Sequence, residues 1–179
     1  MTKKRLVLVF TGDGKGKTTA AFGMALRILG RGGRVGVVQF LKYPLKSKAL
    51  NREGAFRALE KFQSQFRVWS FGGGFTWRVG REENAQAVQK AWKKCRELLK
   101  DPKYQLVILD EIHIALKYKF LKSSEVTQAL KKRPAAQHVI LTGRGAPEAI
   151  LRVANLVTEM KCVKHPFHRG VLAQPGIEF

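Results

Sequence analysis

The sequence predicts an α/β fold, a mostly parallel sheet with helices on both faces, and three observations carry that expectation. Continuous apolar runs of strand length recur along the chain, helix-period patterns lie between them, and the first run ends in a glycine cluster that opens into a helical segment. Strands buried on both faces of a helix-covered parallel sheet lack polar alternation, which is how these runs read. With 179 residues and 45% hydrophobic content, the chain can bury one substantial core, and residues 1–179 are read as a single domain.

Leu6-Val7-Leu8-Val9-Phe10 is the first run, followed by the glycines and a helix expected to begin near Thr18. Val35-Gly36-Val37-Val38-Gln39-Phe40, Leu106-Val107-Ile108-Leu109 and Val139-Ile140-Leu141 are the later runs. The clearest helical pattern spans residues 81 to 100, where Ala85, Val88, Trp92, Cys95 and Leu99 recur at spacings of three and four. Glu82 and Glu83 stand in its first turn and Lys93, Lys94, Arg96 and Lys100 toward its end, a polarity that suits the helix dipole, and Asp101-Pro102 closes it. Strands alternating with helices imply right-handed crossovers. The least regular stretches are residues 41 to 50 and 72 to 80, and substrate loops usually lie in such places.

Composition excludes several classes. No apolar run approaches the roughly 18 to 20 residues that span a bilayer, and Met1-Thr2-Lys3-Lys4-Arg5 leads directly into a strand, so no membrane association is expected and the location is read as cytoplasmic. Cys95 and Cys162 are too few for a disulfide framework or a cysteine zinc site, and each is read as a small buried hydrophobe. The balance of 34 Lys and Arg against 13 Asp and Glu, a net charge of +21, attracts polyanions, nucleic acid and nucleotides alike. The charges are spread rather than gathered in a dense run, which reads as a solvated basic surface without dedicated nucleic-acid binding.

Gly12-Asp13-Gly14-Lys15-Gly16-Lys17-Thr18-Thr19 sits between the first strand and the first helix. It follows the phosphate-loop pattern G-x-x-x-x-G-K-[ST], with Thr11 in place of the first Gly. Glycines at 12, 14 and 16 let backbone N–H groups turn toward phosphate oxygens, the helix start adds its positive end, Lys17 adds a point charge, and Thr18 offers a hydroxyl to Mg2+. These residues are expected to bind ATP phosphates. A second half of the site is expected at Asp110 and Glu111, because two carboxylates closing an apolar strand can hold Mg2+ directly or through water. Either one of the pair could be the direct ligand.

A phosphate loop serves many reactions, so other segments must specify this one. Gly72-Gly73-Gly74-Phe75-Thr76-Trp77 places two large aromatics in a glycine-rich loop, either to anchor it in the core or to pack against something flat. The following segments stand in the order seen in one family: the phosphate loop with Thr19-Ala20-Ala21-Phe22-Gly23, Val37-Val38-Gln39-Phe40-Leu41-Lys42, Gly74-Phe75-Thr76-Trp77, Leu109-Asp110-Glu111, Arg133-Pro134, Leu141-Thr142-Gly143-Arg144, Lys164-His165-Pro166-Phe167 and Ala173-Gln174-Pro175-Gly176-Ile177-Glu178. In these motifs, over nearly its whole length, the chain resembles the P-loop-type ATP:corrinoid adenosyltransferases.

That resemblance implies a P-loop domain related to the recombinase ATPase (RecA-like) core, usually a homodimer, with ATP and a reduced corrinoid as substrates, Mg2+ as cofactor and a flavin-dependent reductant protein as partner. It implies that Co(I) attacks the 5'-carbon of ATP and triphosphate leaves, with the nucleotide reversed relative to ordinary P-loop enzymes. By the same resemblance, Phe75 and Trp77 pack beneath the corrin ring and help remove cobalt's lower axial ligand. Thr18 and Glu111 match the family's Mg2+ contacts.

The sequence departs from the family at Arg78-Val79-Gly80, where an acidic, polar pair is common, and in residues 43 to 54, whose usual form is richer in glycine. It is also read as lacking an N-terminal extension that helps cover the site in many members. His113, His138, His165 and His168 are scattered and are expected to serve structure or hydrogen bonding, with His165 the best placed for a site-proximal role. A rival reading takes Asp110-Glu111-Ile112-His113 as a D-E-x-H motif and the charge of +21 as signs of a nucleic-acid-stimulated ATPase. Such enzymes usually need two ATPase lobes, and 179 residues hold one.

Overall fold

The computed structural model describes residues 4–42, 54–62, 64–72, 80–174 and 176–177. Among the described residues, six strands form one sheet: β1 (Val7–Thr11), β2 (Val35–Phe40), β3 (Phe66–Phe71), β4 (Leu106–Asp110), β5 (His138–Thr142) and β6 (Leu156–Glu159). Their order is β3-β2-β4-β5-β1-β6, and every pairing is parallel. The helices are α1 (Lys17–Leu29), α2 (Gly54–Leu59), α3 (Arg81–Leu98), α4 (Ile112–Lys117), α5 (Ser123–Lys132) and α6 (Glu148–Leu151). The expected α/β class is therefore found, with the RecA-like feature that β5 lies between the phosphate-loop strand β1 and the carboxylate strand β4.

Alternation along the buried strands distributes side chains to two cores. Leu8, Phe10, Val35, Val37, Ile108 and Ile140 pack with Ala21, Phe22, Ala25 and Leu29 of α1. Val9, Val38, Phe40, Leu109 and Leu141 pack with Val88, Trp92 and Cys95 of α3 and with residues of α4, α5 and α6. Burying a Leu, Val or Phe side chain stabilises by about 1.5–3 kcal/mol, so both helical layers are held by the same strands. Parallel pairing across this sheet brings the ends of β1, β2, β4 and β5 to one edge, where ligands of open α/β sheets bind.

Two strands escape a reading based on apolar runs. β3 carries Arg67 and Ser70 and is half-buried along most of its length, and all four residues of β6 are exposed. Both lie at sheet edges, where burial no longer demands a continuous apolar run.

Candidate active site

The phosphate loop leaves β1 with Gly12 at φ 94° and Gly16 at φ 106°, both in the left-handed region that favours glycine. A Cβ on Gly12 would lie 2.4 Å from the Met160 carbonyl oxygen, and one on Gly14 would lie 2.7 Å from the same atom. Gly14 N–H donates to that oxygen at 2.7 Å. The glycines therefore serve packing against the chain leaving β6 as well as an inward-turned loop. Thr11, which stands where the general pattern has Gly, accepts the Ala146 N–H on its hydroxyl at 3.1 Å and ties β1 to the loop after β5. Lys17 is buried, and its Nζ donates to Gly12 O at 2.8 Å and Gly14 O at 2.6 Å. Burial lowers its pKa, against the opposing pull of Glu111.

Asp110 ends β4 fully buried, and its carboxylate accepts four donors. Thr18 and Thr142 hydroxyls donate to Oδ1 at 2.8 and 2.7 Å. The Gln39 amide and the Lys42 ammonium donate to Oδ2 at 2.9 and 3.1 Å. Burial alone would raise this carboxyl's pKa, but Lys42 and the hydrogen bonds from Gln39, Thr142 and Thr18 outweigh it, and the net direction is down. Asp110 is thus an anion that organises the surrounding strand ends. Ser70 extends the network by donating to Gln39 Oε1 at 2.8 Å.

Glu111 differs from its neighbour. It turns through φ 61°, its N–H donates to Thr142 Oγ1 at 2.9 Å, and its Oε2 is buried without a hydrogen-bond partner among the described residues. Burial and then the Asp110 charge raise its pKa. A buried, unsatisfied carboxylate oxygen needs a cation or donor. His113 follows on α4, fully buried, with Nδ1 3.0 Å from the Gly143 carbonyl oxygen. Burial drops its pKa to about 4, so the ring is neutral near pH 7 and Nδ1 carries the hydrogen that the carbonyl accepts.

A cavity of about 760 Å³ joins these parts. Its polar end is lined by residues 13–19, Glu111 and Arg144, and its apolar wall includes Leu26 of α1, Ala58 of α2 and Ile177. Arg144 lies 4.0 Å from Asp13. The donor set suits a small hard dication: the Thr18 hydroxyl, the Glu111 carboxylate with its orphaned oxygen, and phosphate oxygens of a nucleotide. Among the described residues, no group of three or more His, Cys, Asp and Glu could hold a metal ion alone.

Asp13, Gly14, Lys15, Gly16, Lys17, Thr18, Thr19 and Glu111 all line this one cavity, while Gly12 and Asp110 are bonded to its lining residues Lys17 and Thr18. Phe75 and Trp77 lie outside the described residues. Sequence reasoning assigned no task to Gln39, Lys42, Thr142 or Ser70, although Gln39 and Thr142 carried a signal, being polar residues at the ends of apolar strands. Cys162 corrects an expectation: it is exposed, because it follows the exposed edge strand β6, whereas Cys95 is buried as expected. His165 accepts the Phe167 N–H at 3.1 Å and caps the turn Pro166–Arg169, and it is not among the residues lining the cavity.

Residues 3–179 match the family model described as ATP:corrinoid adenosyltransferase BtuR/CobO/CobP. A corrinoid adenosyltransferase from a Sinorhizobium species is 43% identical over 99% of this chain and 81% of its own length. Another from Pseudomonas aeruginosa is 43% identical over 99% of this chain and 85% of its own length. One from Escherichia coli K12 is 42% identical, with coverages of 99% and 87%.

Proposed function

This chain belongs to the ATP:corrinoid adenosyltransferase family, and from that premise we propose that the loop of residues 12–19, with Thr18, Asp110 and Glu111, holds ATP while its 5'-deoxyadenosyl group passes to a corrinoid. The enzyme carries out ATP-dependent adenosylation of corrinoids. In that reaction the electron pair of Co(I) forms the cobalt–carbon bond while the bond from C5' to the α-phosphate oxygen breaks, and triphosphate leaves with the electron pair of that broken C–O bond. No water is activated. The observation that carries this reading is similarity over 99% of the chain to corrinoid adenosyltransferases. The cavity supports it by combining phosphate-loop donors with an apolar wall.

The residues divide the work. Loop amides and Lys17 bind the phosphates and neutralise charge on the leaving triphosphate. Thr18 and Glu111 are the residues that would hold Mg2+, which when bound would supply electrostatic stabilisation of the leaving triphosphate. Asp110 is the organiser that keeps the Thr18 hydroxyl in place. Arg144 stands at the same end of the cavity. Phe75 and Trp77 support the corrin and loosen its lower axial ligand. The protein works in the cytoplasm as a homodimer, and a flavin-dependent reductant protein supplies the electron that takes the bound corrinoid from Co(II) to Co(I). The exposed edge strand β6, with Leu156 and Val157 in the open, supports the dimer. Neither a membrane nor nucleic acid is part of the function.

Product analysis separates this reading from the D-E-x-H one. Adenosyl transfer releases intact triphosphate in step with corrinoid consumed, and adding RNA or DNA leaves ATP turnover unchanged. Release of orthophosphate that rises strongly with nucleic acid would favour the ATPase instead.

A further inference from the structure

Two strand ends beside the site turn through a backbone conformation that non-glycine residues seldom adopt. Glu111 is one, and Leu41, at φ 57° and buried, is the other. For a bulky residue this is a genuine outlier, and such strain persists where the surroundings enforce it. Gly72 makes room for that turn: a Cβ there would lie 2.7 Å from Leu41 Cα and 2.9 Å from the Lys42 nitrogen. The enforced turn delivers Lys42. Its ammonium lies 3.1 Å from Asp110 Oδ2, with the lysine side chain 30% exposed and the carboxylate 0% exposed.

A positive charge bonded to Asp110, the residue that precedes Glu111, opposes a second cation at the same place. We propose that Lys42 is a tethered counter-ion of Asp110, which places a positive charge beside the metal site before nucleotide arrives and so restricts divalent metal to entering together with ATP. This inference rests on the reading that Mg2+ sits at Thr18 and Glu111. Free metal meets Asp110 already paired with a cation, and its attraction to the site is correspondingly weak. Metal carried by ATP brings phosphate charge that offsets the lysine, and Lys42 becomes a further cation near the leaving group.

The test uses Mn2+ as probe, with binding to the whole protein read by electron paramagnetic resonance at fixed neutral pH. Wild type, Lys42→Met, Lys42→Gln and Lys42→Arg are compared without nucleotide, each checked for folding by circular dichroism and Tm. Gln keeps a donor for Asp110 without its charge, so it serves where Met fails to fold. Wild type and Lys42→Arg should bind Mn2+ weakly, and the neutral variants about tenfold or more tightly. Equal affinity in wild type and both neutral variants would overturn the inference while leaving the metal reading intact, as would a Lys42→Arg protein that binds as tightly as Lys42→Gln. Adding ATP should then bring Mn2+ onto wild type. Failure of that step would remove the metal reading itself.

Discussion

The Thr18 hydroxyl, at the start of α1, donates to the Asp110 carboxylate at the end of β4 over 2.8 Å, joining residues 92 positions apart. The contact fastens the phosphate loop to the carboxylate strand although β5 lies between β1 and β4. Thr142 completes the bridge from β5 to the same oxygen. Replacing Thr18 with Ala removes a hydrogen bond to a charged acceptor, worth about 1.5–3 kcal/mol, and a hydroxyl for the metal. Thr18→Ala should therefore lower Tm and weaken Mg2+-dependent transfer, while Thr18→Ser stays near wild type. A Mg2+ titration of the transfer rate checks this, and unchanged Mg2+ dependence in the Ala variant would show that the metal is held elsewhere.

Glu111 gives a prediction with opposite signs for stability and activity. Its folded pKa lies above the ordinary 4.5 because of burial and Asp110. The folded state therefore holds this proton more tightly than the unfolded one. The associated stability is full below about 4.5 and is lost as pH rises through the folded value. Glu111→Gln cannot lose it. In ligand-free protein, Tm of Glu111→Gln should match wild type in acid and exceed it increasingly toward neutral pH, while Mg2+-dependent transfer falls. A variant less stable than wild type at neutral pH would mean Glu111 is satisfied inside the ligand-free fold.

Gly12 sits at φ 94° with the Met160 carbonyl oxygen where a Cβ would go. The left-handed conformation alone costs an L residue about 1–2 kcal/mol, and the crowding adds to it. Gly12→Ala should thus lower Tm by about 2–4 °C for each kcal/mol lost, even without nucleotide. Thermal melts of the ligand-free variant measure this. An unchanged Tm combined with lost ATP affinity would assign Gly12 to phosphate alone.

Phe75→Ala and Trp77→Ala should leave ATP affinity nearly intact while slowing transfer, most when the corrinoid begins as Co(II). Corrinoid supplied already reduced to Co(I) should recover much of the rate. Equal losses in both assays with a lower Tm would make the rings core anchors.

Much of this was legible in the sequence, for identifiable reasons. The strands that lie inside the sheet were readable because burial on both faces leaves an uninterrupted apolar run, as in Val35-Gly36-Val37-Val38-Gln39-Phe40, which is β2 to the residue. β3 and β6 were not, since an edge strand can carry Arg67 or stand exposed as Leu156 does. The phosphate loop was readable because its chemistry needs glycine, lysine and threonine at fixed spacing. The task of Asp110 was not, because it depends on Gln39 of β2, Lys42 just beyond β2 and Thr142 of β5, which only the sheet order makes neighbours of β4. Which carboxylate stays unsatisfied follows from backbone geometry at Glu111, and no residue pattern encodes that in advance.

The most direct measurement follows the absorbance spectrum of chemically reduced cobalamin mixed anaerobically with this protein, ATP and Mg2+. Conversion to adenosylcobalamin is expected in the wild-type reaction, with a rate about 10²–10³-fold lower for Lys17→Ala, which removes the buried ammonium from the phosphate loop. A wild-type spectrum that shows no adenosylcobalamin while ATP is consumed, or transfer at the normal rate by Lys17→Ala, would contradict it.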